Sequence, residues 1–198
     1  MSPLNKFLLQ VLLWLPICFA AWYFLSILFT GPLASIVGAL MTWIYPAIIE
    51  RVAQDGNGLI VITHLVVSMS ADDGGAAGEI LFELNPLKYG YCVPLYTALV
   101  LATPGDYGTK VMRWLIGNII LLAVQVFGVS AEILKLLAFE VGDEASAMLG
   151  FSAWGYEAVA LAYQLGSLIL PPVVPIMIWF GQFQDALPNV LRKTAAEV

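Results

Sequence analysis

One histidine, His64, is all the imidazole that this 198-residue chain carries. Thiol and acid–base chemistry near neutral pH lean on histidine, and nothing after residue 64 can supply it. Charge is equally scarce: 11% of residues are charged, against about 25% in a soluble domain. That excludes an ordinary water-soluble fold. Only eight side chains are basic and the net charge is -6, which argues against nucleic acid as a partner, since that ligand selects basic patches. Two cysteines, Cys18 and Cys92, make no disulfide framework. No Cys/His cluster has metal-ligand spacing, no glycine-rich loop could cradle a phosphate, and no internal repeat is visible. No metal and no cofactor is expected.

What the chain does contain is long apolar runs. Phe7 to Phe29 is apolar apart from Gln10 and Ser26, and spanning a bilayer takes about 20 residues. Cys18-Phe19-Ala20 is a weak cleavage-like site, but the run continues past it through Trp22 and Tyr23, longer than a signal-peptide core, so a retained span is expected. Gly31-Pro32 is expected to break this helix. Leu33 to Ile49 follows, with Trp43, Tyr45 and Pro46 near its end, and reads as a helix at or dipping into the membrane surface.

Glu50 to Lys88 is the one water-facing block. Asp55-Gly56-Asn57-Gly58 and Asp72-Asp73-Gly74-Gly75 are turn signals. Between and after them, Leu59–Val67 and Glu79–Leu84 read as two paired strands. Three more spans are expected, over about 88–104, 114–139 and 152–183, the last kinked by Pro171, Pro172 and Pro175. With four crossings and 33–49 outside the count, Lys6, Lys110, Arg113, Arg192 and Lys193 share one side. That is five of the eight basic residues, and it puts both termini in the cytoplasm with the ribbon outside.

Polar residues inside spans are costly and therefore informative. Asn118, Gln125 and Glu132 recur every seven residues and share a helix face, as do Glu157 and Gln164. They read as one polar seam between the last two spans, either helix-crosslinking glue or a binding surface. Two carboxylates at one depth would repel unless Lys135, three residues from Glu132, reaches them. Cys92 opens the second span with no pKa-lowering neighbour in sequence, so it reads either as a small apolar residue or as a thiol served by His64. The linker Asn85-Pro86-Leu87-Lys88-Tyr89-Gly90-Tyr91 sets tyrosines at the interface level, as an anchor or a recognition surface.

These residues carry a family resemblance. Pro3-Leu4-Asn5-Lys6-Phe7-Leu8-Leu9 with Leu12-Leu13-Trp14-Leu15-Pro16, the Asn85–Tyr91 linker, Pro94-Leu95-Tyr96-Thr97-Ala98-Leu99 and Ala102-Thr103-Pro104 resemble the small membrane proteins associated with exosortases, the type H group in particular. The middle also resembles exosortases themselves, polytopic cysteine transpeptidases that sort proteins bearing a C-terminal anchor. In them a cysteine opens a span, an arginine sits in the next and a histidine in a later one. Cys92 matches the first. Gln125-Val126-Phe127-Gly128 resembles the arginine segment but has Gly128 where the arginine would stand, and no histidine lies downstream.

The expectation is thus an all-α polytopic membrane protein with a small extracytoplasmic β-hairpin, a single integral domain in a bacterial inner membrane. The resemblance implies a non-enzymatic accessory of a sorting system, with membrane lipid and an exosortase or its anchored substrate as partners. No catalytic residue is assigned. The candidate binding residues are Asn85, Pro86, Tyr89, Tyr91, Gln125, Glu132, Glu157 and Gln164. The alternatives are a divergent transpeptidase using Cys92 with His64, and a small transporter in which Glu157 would bear on uptake.

Overall fold

Apolar runs with no competing turn chemistry fold as helices here, and the β-branched block folds as a sheet. The computed structural model describes residues 3–68 and 77–184. The order is α1 (Pro3–Ile44), β1 (Ile49–Asp55), β2 (Gly58–Ser68), β3 (Ala77–Leu84), α2 (Leu87–Gly90), α3 (Cys92–Ala102), α4 (Tyr107–Phe139), α5 (Asp143–Leu149), α6 (Ala153–Gln164), a π-helical turn (Leu165–Ile169) and α7 (Leu170–Phe183). Leu4–Ile44, Tyr107–Phe139 and Ala153–Phe183 are long and apolar enough to cross a membrane, and Leu87–Ala102 is a shorter apolar helix.

The helix does not break at Gly31-Pro32; α1 runs unbroken for 42 residues. Proline removes one N–H and crowds the carbonyl four residues back, a defect that neighbouring groups can absorb. Here the Gln54 side chain comes up against Gly31 and donates Nε2–H to the Ile27 carbonyl at 2.8 Å. The segment read as a separate surface helix over 33–49 is instead the continuation of α1 as far as Ile44, followed by a turn into β1 at Ile49.

The expected two-stranded ribbon is present and has gained a third strand. The antiparallel order is β1-β2-β3. Asp55 pairs with Gly58 across a two-residue turn with Gly56 at φ +55°, the positive φ that such a hairpin turn requires. The second turn signal, Asp72–Gly75, lies outside the described residues. Two strands alone are marginal in water and three with a covered face are not. Leu59, Val61, Thr63 and Leu65 alternate onto the buried face of β2. Leu33, Ala34, Val37 and Met41 are buried apolar residues of the second half of α1, and Gly38 lets that half come close to Val52 of β1. The β2–β3 register slips between Ile62 and Val66. Thr63 stitches the slip, donating its hydroxyl to the Ile80 carbonyl at 2.9 Å and accepting Leu65 N–H at 3.3 Å.

The proline run near the end is relieved by geometry rather than by a break. The π turn immediately precedes Pro171 and Pro172, where wider coiling accommodates the missing N–H groups. The chain forms two compact units. The first gathers described residues 3–25, 90–124 and 169–184; the second gathers 26–68, 77–89 and 125–168. In the first, α3 is buried along its whole length, with Cys92, Tyr96 and Val100 packed on Leu121, Trp179 and Phe183.

Candidate functional site

In the second unit the polar chemistry converges on Glu132. A carboxylate on an apolar helix must find a cation or several donors. Glu132 is 7% exposed and finds both: the Lys88 ammonium pairs with Oε1, and the Tyr89 hydroxyl donates to Oε2 at 2.9 Å. Asn85 and Pro86 set this up. Asn85 Oδ1 accepts Leu87 N–H at 3.0 Å, the Pro86 carbonyl accepts Tyr89 N–H at 3.0 Å, and the resulting turn of α2 aims Lys88 and Tyr89 at α4. The Lys88 ammonium also lies over the Tyr89 and Tyr163 rings, at 5.4 and 5.8 Å from their centres. Lys135, the cation expected to reach Glu132, pairs with Glu140 and lies 5.3 Å from the Tyr163 ring centre. The carboxylate thus has a partner on each oxygen, an arrangement that fixes the linker on α4.

One helical turn before Glu132, Gly128 explains the depth of that contact. A Cβ at position 128 would stand 2.4 Å from Tyr89 Cδ1 and 2.7 Å from Cε1. A Cβ on Gly166, in the π turn, would stand 2.9 Å from Gly128 Cα. The glycine pair permits a close helix crossing of the small-residue kind, and the Tyr89 ring fills the remaining space. The position where the exosortase resemblance expects arginine therefore has no room for any side chain.

The first unit holds Cys92, 0% exposed within the core of α3, α4 and α7. The polar groups around it are spent on helix-to-helix bonds. Tyr96 lies against Gly117, and its hydroxyl contacts Gln182 Oε1 at 2.6 Å and the Arg113 carbonyl at 2.8 Å. Trp179 Nε1–H donates to Thr103 Oγ1 at 2.8 Å, and Trp114 Nε1–H donates to Thr97 Oγ1 at 2.9 Å. Phe7 stacks on Trp179 with ring centres 5.4 Å apart. Cys18 and Cys92 form no disulfide.

The other sequence candidates are dispersed. His64 is exposed on the face of β2 opposite its buried residues. Tyr91 is half-buried at the start of α3. Asn118 bonds the Trp114 carbonyl of its own helix at 2.8 Å. Gln125 is buried on the Glu132 face of α4, while Glu157 and Gln164 on α6 are exposed. Lys88 as the partner of Glu132, and the packing role of the glycines at 117, 128 and 166, escaped the sequence reading. A lone acid in an apolar span with Lys-Tyr in a nearby linker was the available signal for the first. Single glycines inside helices, costly without a packing reason, were the signal for the others.

Comparison with known proteins places this arrangement. No curated protein and no solved structure matches the chain. A family model described as exosortase H-associated membrane protein matches residues 1–186, a stretch that includes α1, the sheet, the Lys88–Tyr89–Glu132 cluster and the Cys92 core. The chain belongs to the exosortase H-associated membrane protein family.

Proposed function

We propose that this protein is a non-enzymatic accessory subunit of a bacterial exosortase sorting system, binding the sorting enzyme or its anchored substrate within the inner membrane. The observation that carries this reading is position 128. The place of the resembling enzymes' arginine is a glycine whose space is occupied by Tyr89, and the thiol that would be the nucleophile is sealed in a helix core. An attacking thiolate needs access and a partner that ionises it. The chain crosses the bilayer four times, with both termini in the cytoplasm and the sheet outside. Leu87–Ala102 supplies the shortest crossing.

The binding surface is the water-facing sheet with the linker at its end, where His64 and Asn85 are exposed. The test is site-specific photo-crosslinking in cells, with the reactive group placed at His64 or Asn85 and, as a control, at the lipid-facing Leu12. Adducts to the sorting enzyme or its substrate from the first two positions and not from Leu12 are expected. Lipid adducts alone from all three would refute the reading.

A further inference from the structure

A groove of about 130 Å³ opens between α3 and the first turns of α4, lined by Thr97, Leu101, Tyr107, Lys110, Val111 and Trp114. Its walls are apolar, apart from Thr97 and one ammonium. Lys110 carries three N–H donors. One goes to the Leu101 carbonyl at 3.2 Å, closing the last turn of α3. Among the described residues Lys110 enters no ion pair. The nearest acid in sequence, Asp106, accepts from Thr109 N–H at 3.0 Å and from the Thr109 hydroxyl at 3.2 Å; those bonds hold its carboxyl below the ordinary range. It caps α4 and leaves the Lys110 charge unneutralised. Tyr107 is 77% exposed at the rim, and Trp114 lies two turns deeper with its indole N–H on Thr97. A tyrosine and a tryptophan at the end of an apolar helix mark the headgroup level of a bilayer.

An apolar slot holding a cation that no acid among the described residues pairs complements one ligand closely. We infer that the groove between α3 and α4 is a binding site for an anionic phospholipid, with part of an acyl chain against Val111, Leu101 and Trp114 and the phosphate on Lys110. Basic pockets between membrane helices take lipid headgroups in this manner. The site is separate from the Glu132 cluster and does not depend on the proposed accessory role.

Native mass spectrometry of the full chain in detergent, titrated with phosphatidylglycerol, phosphatidylcholine or soluble glycerol phosphate, tests the assignment. Phosphatidylglycerol is expected to bind about fivefold more tightly than phosphatidylcholine, the preference one lysine near a surface confers, and glycerol phosphate is expected not to bind. Lys110→Gln should remove the preference and Lys110→Arg should keep it. Brominated phosphatidylglycerol supplies a second readout: it should quench the wild type more than Trp114→Phe. Equal affinity for the two lipids, a preference that survives Lys110→Gln, or binding of glycerol phosphate alone would overturn the inference.

Discussion

Replacing Gly128 with alanine adds a single methyl group, yet its effect should change sign with the residue at position 89. The new Cβ would lie 2.4 Å from Tyr89 Cδ1, far inside contact distance. The ring cannot swing away cheaply: Tyr89 is fully buried and its hydroxyl is held on Glu132. Overpacking of this kind costs about 1–3 kcal/mol. Alanine is favoured over glycine in a helix interior by roughly 1 kcal/mol. In the wild-type background the net result should therefore be a loss of up to about 2 kcal/mol. In a Tyr89→Ala background the obstacle is gone and only the helix term remains, so the same substitution should stabilise by about 0.5–1 kcal/mol. The assay is reversible unfolding of the full chain by SDS in mixed micelles, followed by far-ultraviolet circular dichroism. An equal loss with and without Tyr89 would refute the claim that the glycine exists to admit the ring.

The Lys88–Glu132 pair should show the asymmetry of a buried charge. Lys88→Met leaves the carboxylate with the Tyr89 hydroxyl and should cost about 2–3 kcal/mol, reduced from the usual 3–5 because the lysine is more than a third exposed. Glu132→Gln keeps an acceptor for Tyr89 and should cost about 1 kcal/mol; the double variant should lie well short of the sum, and strict additivity in the same titration would contradict the pairing. Thr103→Val should cost about 1–3 kcal/mol by orphaning the Trp179 N–H in the core, whereas the same change in a Trp179→Phe background should cost less; tryptophan fluorescence during thermal unfolding reads both. Cys92 should resist maleimide in native membranes and react once the protein is unfolded in SDS; prompt labelling of the folded protein would place the thiol elsewhere.

Much of the helical frame was legible because apolar runs of spanning length leave few other choices. Phe7–Phe29 and Trp114–Phe139 fall on helices, as does the span expected over about 152–183 from Ala153 onward, and the β-branched block gave β2 and β3 nearly to their ends. The strand Ile49–Asp55 was not legible. IERVAQD has too little alternation to announce itself, and it becomes a strand because the Asp55–Gly58 turn folds it back onto β2. Nor was the unbroken course of α1 through Pro32, beside which a side chain from that same strand, Gln54, bonds the Ile27 carbonyl. At the candidate site, the heptad spacing identified Glu132 and the linker identified Tyr89. Their meeting rests on Gly128 and on the turn of α2, a three-dimensional coincidence that one-dimensional spacing does not encode. The expected alignment of Glu157 and Gln164 with that seam assumed a face of α6 that the structure turns outward.

The central claim is that this family member assists sorting without carrying out thiol chemistry itself. The direct measurement is the surface display of an anchored substrate in cells whose only copy of the protein carries Cys92→Ala, compared with wild type and with a deletion. Display at the wild-type level, with loss in the deletion, is the expected result. Display reduced to the level of the deletion, while the variant protein accumulates normally in the membrane, would contradict it.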